Sequence, residues 1–183
     1  MLITISGLPG SGKTTVARLL SQRLGVPHVY AGDLYRKEAE ARGLSLEAFN
    51  LLSERDHSID RRLDAKMAEY ARRGGVVLEG RLAGYIAVQE GADALKVWLT
   101  AGDEVRAQRV SQREGADRGQ VLKDNTDRQR SDAKRYREIY GFDLDDTSIY
   151  DLIVHSDHDT PEALAEHILA AAAHRFGHDG TRT

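Results

Sequence analysis

The chain has no cysteine among its 183 residues, which excludes a disulfide framework and any cysteine-ligated zinc site. Its seven histidines fall in no metal-ligand spacing, and His57, between Asp56 and Asp60, reads as a surface residue. Long hydrophobic runs are missing too. The most apolar stretch, Ala163 to Ala173, is interrupted by Glu166 and His167, so no transmembrane span is expected. No basic segment precedes the β-favouring residues at the start, so no signal peptide is expected either. Nor does one sign of charge dominate. A net charge of −3 leaves no overall footprint for nucleic acid. The expectation is a cytoplasmic protein with no membrane or nucleic-acid partner and no evident protein partner. Internal repeats and linkers are absent, and the length suits one compact α/β domain spanning residues 1–183.

What the chain does have is concentrated near its start. Residues Gly7-Leu8-Pro9-Gly10-Ser11-Gly12-Lys13-Thr14 spell G-x-x-x-x-G-K-T, followed by Thr15. Leu2-Ile3-Thr4-Ile5 leads in as a strand, and a helical pattern from Lys13 to Leu24 leads out. Glycines let successive backbone N–H groups turn inward around a phosphate, and the helix N-terminus adds its partial positive charge. In such a loop Lys13 reaches the β- and γ-phosphates and the Thr14 hydroxyl sits on Mg²⁺. The segment predicts a binder of ATP with Mg²⁺.

Strands and helices alternate along the rest, which predicts a parallel sheet with helices on both faces. Val26–Tyr30, Val76–Leu78, Leu95–Leu99 and Asp151–Val154 read as further strands. Residues Asp33 to Arg73 read as helical, with breaks at Gly43 and near Arg55. Thr160 and Pro161 open a last helix, and Gly177 to Thr183 reads as a disordered tail. From Arg106 to Arg137 the chain carries ten Lys or Arg against five Asp or Glu. Beside a phosphate loop, that stretch predicts a mobile basic flap, with a polar, glycine-bearing lid near Gln112–Thr126.

Three further constellations carry chemistry. Asp33 and Arg36, at i and i+3 on a helix start, can present a carboxylate and a guanidinium fork together. Glu79-Gly80-Arg81 follows a hydrophobic strand, at the end where open α/β sheets bind ligands. Glu79 is thus placed to hold a water on Mg²⁺ and Arg81 an acceptor phosphate, with Gly80, and Gly84 beyond it, permitting close approach. Arg106, Arg109 and Arg113 share one helical face, as do Arg128, Asp132 and Arg135. Phosphoryl transfer between polyanions is largely a matter of positioning and charge, and arginines aimed at one cleft answer it. The expected catalytic set is Lys13, Arg109, Arg113, Arg128 and Arg135. A hydroxyl acceptor would need a base, for which Asp33 is the candidate; a phosphate acceptor needs none.

Ala31-Gly32-Asp33 with Arg36 resembles the acceptor motif of adenylate kinases, and Arg128, Asp132 and Arg135 resemble the sugar- and phosphate-holding motif of cytidylate kinases. Glu79-Gly80-Arg81-Leu82-Ala83-Gly84, together with the run from Lys134 to Gly141 and that from Asp145 to Val154, resembles the short, archaeal-type cytidylate kinases. The resemblance spans Leu2 to about Ala173. It implies transfer of the γ-phosphate of ATP to CMP or dCMP, a sheet of order 2-3-1-4-5, and an acceptor-binding region at Asp33–Arg73. It also implies acceptor contacts from Asp33, Arg36, Gly80, Arg81, Arg128, Asp132 and Arg135. Longer bacterial members place an Asp directly after the motif arginine, where it helps read cytosine; here Leu82 stands there. Base recognition then falls to other residues, Asp60 or Arg61 being the candidates. UMP, AMP or a small hydroxyl as acceptor, and a nucleotide-binding switch that is not a kinase, remain as alternative readings.

Overall fold

A computed structural model describes residues 1–177 of the chain. Five parallel strands form one sheet: β1 (Leu2–Ser6), β2 (His28–Tyr30), β3 (Val76–Glu79), β4 (Ala94–Thr100) and β5 (Leu152–His155). Their spatial order is β2-β3-β1-β4-β5, the order expected. β1 lies at the centre, pairing Ile3 with Val77 on one side and with Leu95 on the other. Every residue of β1 is buried, as a central parallel strand covered on both faces requires.

The strand period of two divides the core between the faces. Leu2, Val76, Leu78 and Trp98 pack on one side with Met67, Ile86 and Tyr150. Ile3, Ile5, Val77, Val97 and Leu99 pack on the other with Val16, Leu20 and Ile168. The first face is covered by α4 (Ser58–Arg73) and α5 (Ala83–Gln89), the second by α1 (Lys13–Leu24) and α8 (Pro161–Gly177). Thr160 caps α8, its hydroxyl accepting from the Ala163 amide at 3.2 Å. The expected tail lies, apart from Gly177, outside the described residues.

The helical region splits at both expected breaks, into α2 (Ala31–Ala41), α3 (Leu46–Arg55) and α4. Phe49, Ile59 and Leu63 hold it together in a small core of their own. α5 was not legible as a helix: at seven residues it spans less than two turns and carries little periodic signal. The polar stretch expected as a loop-like lid is instead helical. α6 (Asp103–Glu114) ends at Gly115, and α7 (Arg118–Tyr140) starts with Asp117 accepting from the Gln120 amide at 2.9 Å. Val121 is buried against Ala107 and Val110, so three apolar side chains pin the hairpin despite its polar composition. No helix among the described residues is long and apolar enough to cross a membrane.

Candidate active site

Beyond the carboxyl ends of β1 and β3 lies a cavity of about 490 Å³, walled by the phosphate loop and by α2, α4 and α7. The loop between β1 and α1 is wedged in place from behind. A Cβ on Gly7 would collide with the carbonyl oxygen of Leu99, and one on Gly10 with that of Arg106. Their positive φ angles, 146° and 79°, also favour glycine. Arg106, expected on the arginine face of the cleft, is buried behind the loop instead. Its guanidinium donates to the carbonyls of Pro9 at 3.1 Å and Ala101 at 3.2 Å, and pairs with Asp103 at 2.6 Å. Ser156 fastens the loop too, its hydroxyl donating to the Ser11 carbonyl at 2.8 Å.

Of the loop residues, Pro9, Gly10, Gly12, Lys13, Thr14 and Thr15 line the cavity, while Gly7, Leu8 and Ser11 form the loop's back. α1 begins with neither a side-chain cap nor an acidic residue in its first turn, leaving its N-terminal dipole turned to the cavity. The Lys13 ammonium donates to the Leu8 carbonyl at 2.6 Å. Burial lowers its pKa to about 7; Glu79 opposes the shift, while Arg81, Arg128 and Arg106 add to it. The Thr14 hydroxyl donates to Glu79 at 2.6 Å, and the other Glu79 oxygen faces Nε2 of His28 at 2.8 Å. Glu79 is fully buried, so those two contacts orient its carboxylate. His28 carried no sequence signal; it joins the site only because β2 lies beside β3.

Opposite the loop sits a buried ionic cluster. Arg81 pairs with Asp132. Asp132 also accepts from Arg135 at 2.7 Å, and Arg135 faces Asp60 at 3.2 Å. All four side chains are at most 9% exposed. Burial raises the Asp60 pKa, with Asp132 adding and Arg135 opposing. Arg81 lines the cavity; its Nη1 faces Asp132, and its buried Nη2 has no hydrogen-bond partner among the described residues. Unspent buried donors of this kind are costly unless a ligand meets them.

Arg109, Arg113 and Arg128 also line the cavity. Arg109 is anchored on Ser156 at 2.9 Å, whereas Arg113 and Arg128 are exposed. Asp33, Arg36 and Arg61, expected as acceptor contacts, do not line it. Asp33 and Arg36 pair with each other on the exposed face of α2, where Arg36 lies 5.1 Å from the centre of the Tyr30 ring. Arg61 points out of α4, one position off the face that carries Asp60 and Asp64 inward. Gly84 serves packing rather than ligand approach, its amide donating to Ser6 at 3.1 Å beneath the Tyr150 ring. Leu82 is in the core and offers the cavity no polar group.

Several cavity residues escaped sequence reasoning. Tyr35, Asn50, Asp64 and Tyr136 all border it. Tyr35 donates to Asn50 at 2.8 Å, and Tyr140 donates to Asp64 at 2.5 Å. A carboxylate four positions after Asp60 shares its helical face, which is the one signal that could have found Asp64.

Residues 2–158 match the cytidylate kinase-like family. The chain belongs to that family. It is 47% identical over 161 residues to the cytidylate kinase of Methanopyrus kandleri, covering 84% of this chain and 83% of that protein. To the cytidylate kinase of Pyrococcus abyssi it is 43% identical over 176 residues, with 96% of each covered. Among solved structures, the shikimate kinase from Acinetobacter baumannii in complex with shikimate aligns at a TM-score of 0.60, 18% identity, covering 96% of this chain and 94% of that one. At that identity the likeness is one of fold. It is the fold that puts phosphate loop, β3 carboxylate and α7 arginines around one cavity in a family member such as this.

Proposed function

We propose that this protein transfers the γ-phosphate of ATP to CMP or dCMP, giving ADP and the nucleoside diphosphate. The observation that carries the reading is the two-sided cationic cavity. On one side stand the phosphate loop and Lys13, on the other Arg81, with its buried Nη2 unspent, and Arg135. One polyanion needs only the first side; the second answers an anionic acceptor. A switch that only bound a nucleotide would not need it. A hydroxyl acceptor with Asp33 as base is disfavoured, because Asp33 is exposed and paired with Arg36.

Mg²⁺ fits the corner between Thr14 and Glu79. The Thr14 hydroxyl spends its proton on Glu79, which leaves oxygen lone pairs for a metal, and the buried Glu79 carboxylate suits a metal-bound water. Mg²⁺ needs no more than one or two such groups, because phosphates and water complete its octahedron. Bound there, it would neutralise charge on the β- and γ-phosphates. Lys13 and the arginines then orient the two substrates in line. Hinging of the α6–α7 hairpin at Gly115 would bring Arg113 and Arg128 over the phosphates and exclude water.

The test is an acceptor panel: ADP release with CMP, dCMP, UMP, AMP and shikimate-type hydroxyl compounds, with product identified. CMP or dCMP is expected to give the highest kcat/KM. Binding of ATP with no phosphorylated product from any acceptor would overturn the reading in favour of a switch.

A further inference from the structure

α4 turns two carboxyls to the cavity, Asp60 and Asp64, and they are partnered differently. Asp60 faces Arg135, and Asp132 is taken by Arg81 and Arg135. Asp64 has no ammonium or guanidinium within ion-pair distance among the described residues; its Oδ2 accepts the Tyr140 hydroxyl at 2.5 Å. A phosphate is met better by the arginines, and a carboxyl that ionises beside it would repel it. Asp64 therefore marks the part of the cavity where a ligand brings hydrogen-bond donors. Its place along α7 agrees. Asp132, which holds Arg81, and Tyr140 are separated by eight positions of α7, or about 12 Å of helix at 1.5 Å per residue. The phosphate-binding end and the Asp64 end are thus far enough apart for the two ends of a nucleotide.

Resting on the reading that the acceptor is CMP, we propose that Asp64 reads the cytosine ring as a neutral acid, Oδ1–H donating to N3 while Oδ2 accepts from the exocyclic amino group. Tyr140 sets that order by donating to Oδ2, which marks it as the carbonyl-like oxygen and leaves Oδ1 to carry the proton. Cytosine presents an acceptor at N3 beside an amino donor, the complement of that pair. Uracil presents N3–H beside a carbonyl, so in the same pose donor meets donor and acceptor meets acceptor. The groups facing Asp64 are Asp60 on α4 and Arg135, Tyr136 and Tyr140 on α7. Burial raises the Asp64 pKa to about 7, Asp60 adding while Tyr140 and Arg135 oppose. Above that value the carboxyl has two acceptors and no donor for N3.

The experiment is calorimetric titration of CMP, with ATP alongside, into wild type, Asp64→Asn and Asp64→Leu at about pH 6 and about pH 8. Asn offers the same donor and acceptor with no proton to lose, so it is the rescuing variant. Wild type is expected to weaken for CMP by about tenfold per pH unit above the Asp64 pKa. Asp64→Asn should escape that part of the loss, while any contribution from Lys13 remains in both, so the ratio of the two isolates Asp64. Asp64→Leu should bind CMP about tenfold or more below Asp64→Asn at both pH values, the gap to wild type closing at the higher pH, with ATP unchanged. A wild type to Asn ratio indifferent to pH, or a Leu variant that keeps CMP or loses ATP equally, overturns the proposal. Wild type that phosphorylates another monophosphate and not CMP overturns the reading beneath it. Wild type active on CMP with Asp64 indifferent overturns the proposal alone.

Discussion

Lys13 is brought down to about 7 because water is excluded around its ammonium by more than the nearby Glu79 carboxylate repays. The sign of the consequence can be worked out. Without ligand, Lys13 is charged below that value and largely neutral at about pH 8. A triphosphate beside it favours the charged form, so binding at the higher pH must take up about one proton, and at about pH 6 almost none. Affinity for ATP accordingly falls as pH rises through 7. Calorimetry in two buffers of different ionisation heat measures the uptake directly; Lys13→Met should abolish it and cut kcat by about 10²–10³. Equal heats in both buffers at the higher pH would refute the assignment. Arg81 makes a second case at this scale. Removing its unspent Nη2 should raise the KM for CMP about tenfold, the worth of about 1.4 kcal/mol. Because Arg81 also helps depress the Lys13 pKa, Arg81→Ala should shift proton uptake by ATP to higher pH as well. An Arg81→Ala enzyme with wild-type KM for CMP would argue that the acceptor phosphate binds elsewhere.

Between elements, the phosphate loop owes its shape to α6 as much as to its own glycines. Arg106 is 4% exposed and ties α6 to the carbonyls of Pro9 and Ala101. Arg106→Ala leaves those carbonyls and the space behind the loop unfilled, and should cost about 3 kcal/mol. For a chain of this size that is a melting temperature lower by about 6–12 °C. ATP affinity should fall with it, whereas a purely catalytic arginine would change kcat and leave the melt alone. The α6–α7 hairpin is the other element with a task. Its apolar anchor is limited to Ala107, Val110, Val121 and the half-buried Leu122, so it should open at low free energy. Hydrogen exchange at amides 112–126 is expected to slow when ATP and CMP are both present and to change little with CMP alone. Identical exchange in all states would exclude the hairpin as a closing lid.

Across the whole molecule, the two apolar faces of the sheet are set by patterns that local rules capture, while positions where elements meet defy those rules. Gly84 shows the difference. Inside α5, a Gly→Ala change should gain about 1 kcal/mol by helix propensity. A Cβ there would lie 2.5 Å from Cε1 of Tyr150, whose ring is fixed against Trp98 at 5.1 Å between centroids. Overpacking of that kind costs about 1–3 kcal/mol, so Gly84→Ala should lower the melting temperature. A raised melting temperature would show that the Tyr150 ring yields more readily than its packing implies.

The strand order was implied only by the family resemblance; the strands themselves, the phosphate loop, and the arginine and carboxylate faces of α7 were readable in the chain. Each is local: a period of two or 3.6, or a motif within eight consecutive residues. Four placements were not legible, and the first three depended on contacts between distant segments. His28 reaches Glu79 across 51 positions, and Tyr140 reaches Asp64 across 76. Arg106, on the expected arginine face, turned behind the loop because Pro9 and Ala101 offer buried carbonyls there. Arg36, in a motif that promised an acceptor contact, instead lies on an exposed face beside Asp33 and Tyr30. The chain by itself determined that phosphates are bound and on which layers of an α/β sheet. Which side chains share the cavity, and which polar groups are left unspent to meet a ligand, was decided only by tertiary packing, because burial and partner choice belong to pairs of segments and not to either one.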